Sequence, residues 1–232
     1  MAAETSAPGE YAASETAATA ETETVDVSET GDEVSGSVVQ EPVFTSAPVP
    51  QEVQERMLGK SYPEDCTIPM ADLRYLQITY VNFDGETALG EMVCNQAIAQ
   101  DLLEIFESLY EAEYQIGSIH LVDDFDADDE RSMEANNTSA FNFRYIAGTH
   151  KLSNHAQGLA VDINPLFNPY VNKKGEISPE GAQDYADRSA EFAHKITKED
   201  LAYQLFCEHG FTWGGDWKSV KDYQHFEKSV SE

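Results

Sequence analysis

The sequence predicts an α+β domain, helices packed on a mostly antiparallel sheet, behind a disordered acidic N-terminal tail. Three observations carry this. Leu73–Phe83 reads LRYLQITYVNF, rich in aromatic and β-branched residues, and runs into Asp84-Gly85, a turn signal. After Asn95, the residues Ile98, Leu102, Ile105, Phe106 and Leu109 recur at helical spacing. Residues 1–52, by contrast, are mainly Ala, Glu, Thr, Ser and Val without amphipathic period, and cannot bury enough apolar surface to offset their ordering entropy. Helices and strands in irregular order, with no internal repeat, give α+β.

The elements follow in order. The tail, 1–52, ends at Pro48 and Pro50, and a single domain, 53–232, begins between Val53 and Tyr62. Leu73–Phe83 is a strand. Asn95 caps a helix running to about Ala112. Ser118–Val122 is a strand, and the acidic run Asp123–Glu130 follows it. Counted from Asp124, that run lacks the Gly at position 6 and the Glu at position 12 of a calcium loop, so it reads as a solvated or site-rim loop. In Leu159–Asn164, strand alternation sends Leu159, Val161 and Ile163 to one side and Ala160, Asp162 and Asn164 to the other. Asn168-Pro169 opens a loop and Lys173–Gly175 turns. Lys198–Glu208 is a helix with Thr197 as N-cap and Gly210 past its end, and Tyr223–Glu227 is a closing strand.

Composition sets the bounds. The 232 residues, 41% hydrophobic, suffice for one good core. Net charge is -29; 12 of the 43 acids lie in Met1–Glu55, which has no Lys or Arg, and the remainder sets 31 acids against 14 bases. Both parts therefore disfavour nucleic-acid phosphate and anionic lipid. No apolar run reaches the length of a membrane span, and a monomer is expected. The start, MAAETSAPGE, lacks the basic and apolar regions of a signal peptide. Either the chain is cytosolic or an export signal has been removed; the second is preferred, because the tail resembles the linker that follows such a signal. Cys66, Cys94 and Cys207 fit no metal knot and read as free thiols, with a Cys66–Cys94 bridge as the alternative.

The chemistry concentrates in two blocks. Ser153–Asp162 reads S-x-H-x-x-G-x-A-x-D, and Asp222–Glu227 reads D-x-x-H-F-E. His155, Asp162 and His225 are the three N/O ligands of a catalytic zinc, which leaves one position for water. Gly158 lets the backbone turn so that His155 and Asp162 converge. Asp222 is the candidate general base, placed to take a proton from the attacking water and return it to the leaving amine. Glu227 shares a strand face with His225 and is placed to hold the imidazole's second nitrogen. The oxyanion needs a positive partner; Arg144 is the first candidate and Arg131, in the acidic loop, the second. His120, His150, His194 and His209 show no ligand pattern.

The blocks FNFRYIAGTHKLSNHAQGLAVDINPLFNPYV and FTWGGDWKSVKDYQHFE resemble M15 zinc peptidases, the D-alanyl-D-alanine carboxypeptidases and related L-alanyl-D-glutamate endopeptidases that trim bacterial peptidoglycan. The resemblance covers about Val53 to Glu227 and is densest from Asn137. It implies one zinc ion on His155, Asp162 and His225, Asp222 as base, a cleft-lining Ser153, and a peptidoglycan stem peptide as substrate, hence an extracytoplasmic location. Carboxypeptidase action is expected first, with endopeptidase action or a non-catalytic wall-peptide binder as alternatives. Asp rather than Glu as base matches the endopeptidase-like branch. The family's S-G-Y-R element, which carries its substrate-binding arginine, has no counterpart here.

Overall fold

A computed structural model of the chain describes residues 41–146 and 149–230. Its first layer is a three-stranded antiparallel sheet: β1 (Phe44–Pro48), followed by helix α1 (Gln51–Met57), then β2 (Leu73–Val81) and β3 (Thr87–Asn95), in the order β1-β2-β3. Helix α2 (Gln96–Glu111) packs across β2. Its start is the expected one, with the Asn95 side chain accepting the Ala97 amide at 3.0 Å.

The rest is built from short pieces: β4 (Ser118–Ile119), α3 (Asp129–Glu134), β5 (Asn137–Thr138), β6 (Ala160–Asp162), β7 (Tyr170–Val171), β8 (Ile177–Ser178), α4 (Leu201–Glu208), β9 (Thr212–Trp213), β10 (Lys221–Asp222) and β11 (His225–Glu227). They form two small antiparallel sheets, β6-β11-β9 and β10-β7-β8, and one parallel pair, β4-β5. The main core joins the layers. Leu76, Ile78 and Met92 from the first sheet meet Ile98, Leu102, Ile105, Phe106 and Leu109 of α2, and Val161, Ile163, Phe206 and Phe226 close it from the other side. Phe206 stacks on Phe226 with ring centroids 4.4 Å apart, which pins β11 to α4.

Several expectations need correcting. The domain does not start near Val53. Phe44–Pro48 pairs with β2 from Phe44↔Ile78 to Pro48↔Arg74, and Val49, Val53 and Met57 seed a second apolar cluster with Leu73, Val93 and Phe143. β1 carries mostly exposed side chains and is held by backbone pairing, which leaves no hydrophobic pattern to read. The remainder of the expected tail, residues 1–40, lies outside the described residues. β3 was not anticipated, because Gly90 and Glu91 interrupt its apolar pattern. α4 begins at Leu201, capped by Asp200, whose carboxylate accepts the Ala202 amide at 2.8 Å. The Thr197 hydroxyl is bonded instead to Glu199. The strands expected at Ser118–Val122, Leu159–Asn164 and Tyr223–Glu227 shorten to two or three residues, because a 3-10 turn or a bend takes over at one end.

Cys66, Cys94 and Cys207 are free thiols. The acidic run is neither a calcium loop nor merely solvated. Asp123 is buried and accepts the Ser61 amide and hydroxyl, both at 3.0 Å; Asp124 pairs with Arg56, and Asp126 with Lys60 and Arg131. Asp128 caps α3, and Glu130 accepts from Ser178 and the Glu180 amide. Each of these carboxylates has a donor from the chain itself, so the loop ties α1 and the 178–181 segment together.

Candidate metal and catalytic site

The site lies where β6 and β11 pair. His225 sits opposite Asp162 in the antiparallel register, and Phe226 sits opposite Val161. The two-residue period turns His225 and Asp162 to one side and Phe226 and Val161 into the core. His155 arrives from a 3-10 turn, His155–Gln157. Ser153 holds that turn, its hydroxyl accepting the Ala156 amide at 3.1 Å. Gly158 ends it at φ 67, and a Cβ there would come within 2.6 Å of the Asn95 backbone nitrogen. Glycine is therefore required both for the left-handed turn and for the approach of β3.

The three side chains converge tightly. His155 Nε2 is 3.0 Å from His225 Nδ1 and 3.2 Å from Asp162 Oδ2, and His225 Nδ1 is 3.1 Å from Asp162 Oδ1. Their outer nitrogens fix the tautomers. His155 Nδ1 faces the Ala140 carbonyl at 2.7 Å and His225 Nε2 faces Glu227 Oε2 at 3.0 Å. Both partners only accept, so both outer nitrogens donate. With both imidazoles neutral, as metal binding requires, the inner nitrogens turn lone pairs toward one another and toward a carboxylate. Such a set is satisfied by a cation. Tetrahedral zinc, with bonds of about 2.0–2.1 Å, holds its ligands about 3.3–3.4 Å apart. The observed separations need open by only a few tenths of an ångström, so the residues fit a zinc ion.

Electrostatics show a demand for positive charge among these groups, met by a proton on the inner nitrogen of His225 when no metal is bound. Burial alone would raise the Asp162 pKa, yet the two imidazoles hold its carboxyl well below the usual range. Burial would lower His225, but the Asp162 and Glu227 carboxylates raise it to about 10. Glu227 is lowered by the bond from His225, and it also accepts from Asn154 Nδ2 at 2.5 Å. Asp222 lies in β10, paired with Tyr170 of β7. Its Oδ1 is sealed from solvent with no hydrogen-bond partner among the described residues. Burial pushes Asp222 up to about 7; His225, His155 and Arg144 oppose the rise, and Asp162 adds to it. Gly214 makes this packing possible, since a Cβ there would lie 2.6 Å from the Asp222 carbonyl oxygen.

A family model described as D-alanyl-D-alanine carboxypeptidase matches residues 147–228, a span that contains His155, Asp162, Asp222, His225 and Glu227. Over these residues the chain is similar to the M15 peptidase family. No curated protein and no solved structure matches it.

The match supports a peptidase, the family model being described as a D-alanyl-D-alanine carboxypeptidase. The two arginines separate clearly. Arg144 is partly exposed, pairs through Nε with Asp129, and lies close enough for its charge to act on Asp222. Arg131 is more exposed and bonded to Asp126 at 2.8 Å; the structure does not bring it to the cluster. Ser153 is as buried as the two histidines of the site, and its hydroxyl accepts the Ala156 amide of the His155 turn. Of the other histidines, His120 and His150 are exposed, His194 stacks on Phe83 and His209 faces Asp101. Two neighbours of the site escaped sequence reasoning. Asn154 lies inside the S-x-H motif that should have pointed to it. Trp217, with its ring 5.2 Å from that of His225, had only the tight G-G-D-W turn as a signal.

Proposed function

We propose that this chain is a zinc-dependent D-alanyl-D-alanine carboxypeptidase that trims peptidoglycan stem peptides outside the cytoplasm, working as a monomer. The observation that carries the reading is the convergence of two imidazole nitrogens and a carboxylate at 3.0–3.2 Å, with Asp222 in the cluster's field and one of its oxygens sealed from solvent. His155 Nε2, Asp162 and His225 Nδ1 would hold the ion. Zinc there would supply Lewis acidity toward the scissile carbonyl and the attacking water.

The chain's own residues do the rest. Asp222, with a pKa of about 7, takes a proton from water as the C–O bond forms and gives it to the amine nitrogen as the C–N bond breaks. A base poised near neutrality serves both directions. Arg144 offers its positive charge to the oxygen on which negative charge develops. Glu227, steadied by Asn154, fixes the His225 tautomer so that Nδ1 stays a ligand. Ser153 sets the pitch of the turn that carries His155.

An aspartate rather than a glutamate at position 222 favours a second reading, cleavage inside the stem peptide. Digestion of purified peptidoglycan with mass spectrometry of the products separates the two. Release of single alanines supports the carboxypeptidase and larger fragments the endopeptidase. A protein that takes up one zinc per chain yet releases nothing would leave only a wall-peptide binder.

A further inference from the structure

We propose that Arg188 is a positioning residue for the base, clamping the segment 167–196 onto Tyr223 and so holding Asp222 against β7. The consequence for turnover rests on the reading of Asp222 as that base. Arg188 lies between β8 and α4, outside both site motifs. Its Nη1 donates to the carbonyls of Phe167 at 2.9 Å and Tyr185 at 3.4 Å. Its Nη2 donates to the Ile196 carbonyl at 2.8 Å and to Asn168 Oδ1 at 3.0 Å. The guanidinium carbon lies over the Tyr223 ring, 4.4 Å from its centroid, and 5.2 Å from that of Phe192. All of these partners are neutral. Burial brings the Arg188 pKa down to about 10, so the group stays charged at neutral pH. A planar fork can serve several carbonyls at once in a way that a lysine ammonium cannot.

The clamp reaches both halves of the site. Asn168 is fully buried; its Oδ1 also accepts the Ile196 amide, and its Nδ2 donates to the carbonyls of Asn164 and His194, both at 3.0 Å. Asn164 stands two residues beyond the ligand Asp162. On the other side, Tyr223 directly follows Asp222, and its amide donates to the Pro169 carbonyl at 3.3 Å. Tyr170, the next residue, opens β7 and pairs with Asp222. Arg188 therefore bonds the two residues before Pro169 and stacks on the residue after Asp222. β7 and β10 are two residues long each, and a ladder that short needs support from outside it.

The test uses the full chain loaded with zinc and a peptide ending in D-alanyl-D-alanine. R188K keeps the charge and loses the fork. It should lower kcat about 10–100-fold, the loss that follows a displacement of about 1 Å, with KM and zinc content unchanged. Y223L removes the ring but leaves every hydrogen bond of Arg188, so it should act in the same direction and keeps the test open if R188K does not fold. In a D222N background R188K should add nothing, as for groups that act as a unit. Hydrogen exchange read by mass spectrometry is independent of turnover. Peptides covering 167–171 and 221–224 should exchange about tenfold faster in R188K, with those covering β2 and β3 unchanged. Exchange unaltered at 167–171 and 221–224, or raised evenly over the whole chain, would overturn the proposal. So would a raised KM with kcat unchanged, or the full R188K factor persisting in D222N. If D222N alone turns over normally, or the wild type cleaves nothing, the reading of Asp222 as base fails, and the exchange arm then decides the clamp by itself.

Discussion

Asp222→Asn should make the metal-free protein more stable above neutral pH while removing most of its hydrolysis. Burial raises the Asp222 pKa from its ordinary 3.8 to about 7. Below about pH 4 the group is protonated in the folded and the unfolded chain, and contributes no difference. Between 3.8 and 7 the unfolded chain releases the proton that the folded chain retains, so unfolding gains free energy as pH rises. Above 7 the full penalty is present. A shift of about three units, at about 1.4 kcal/mol each, sets an upper bound near 4 kcal/mol. Asparagine keeps the shape and carries no charge, so D222N should match the wild type at pH 4 and exceed it by about 1–4 kcal/mol at pH 8. Urea unfolding after chelation, at pH 4, 6 and 8, measures this directly. On the zinc-loaded protein the same substitution should retain the metal and lower kcat by about 10²–10⁴, the usual contribution of an acid–base group. A D222N protein no more stable than wild type at pH 8 would refute the burial argument, and near-normal turnover would refute the role of base.

Three further outcomes are expected. Glu227→Gln removes the charge that holds His225 Nε2–H, and zinc affinity measured by competition with a chelator should fall about 10–100-fold. Gly158→Ala faces both the left-handed backbone and the nearby Asn95 nitrogen, so Tm should drop by an amount corresponding to more than about 1 kcal/mol, with zinc content falling alongside. A chain starting at Val53 loses β1 and the buried Val49, and should unfold at clearly lower urea than one starting at Gln40, whereas equal midpoints would mean that β1 contributes nothing.

Legibility of the chain followed the reach of each interaction. α2 was readable because cap and apolar stripe are local, and Asn95 accepts the amide it was expected to accept. The cluster of His155, Asp162 and His225 was readable because the ligand types are rare together and strand alternation points them. β1 and β3 were not: one is held by backbone pairing to β2, and the other breaks its alternation at Gly90 and Glu91. Thr197 lost the cap of α4 to Asp200, a choice between two acceptors three residues apart that local propensity does not decide. Asp129 had no local signature, since its partners Asn142 and Arg144 lie more than ten residues further along the chain.

β11 has three residues with three separate duties: His225 at the site, Phe226 in the core against Phe206, and Glu227 behind the imidazole. The pairing with β6 assigns those duties by parity alone. One residue inserted or deleted between Asp222 and His225 would put phenylalanine among the ligands and histidine in the apolar core. The defect would strike fold and chemistry at once, and no second substitution nearby could repair it. Tolerance to length change should therefore divide the chain sharply. The two residues between Asp222 and His225 should keep their number wherever this site is built.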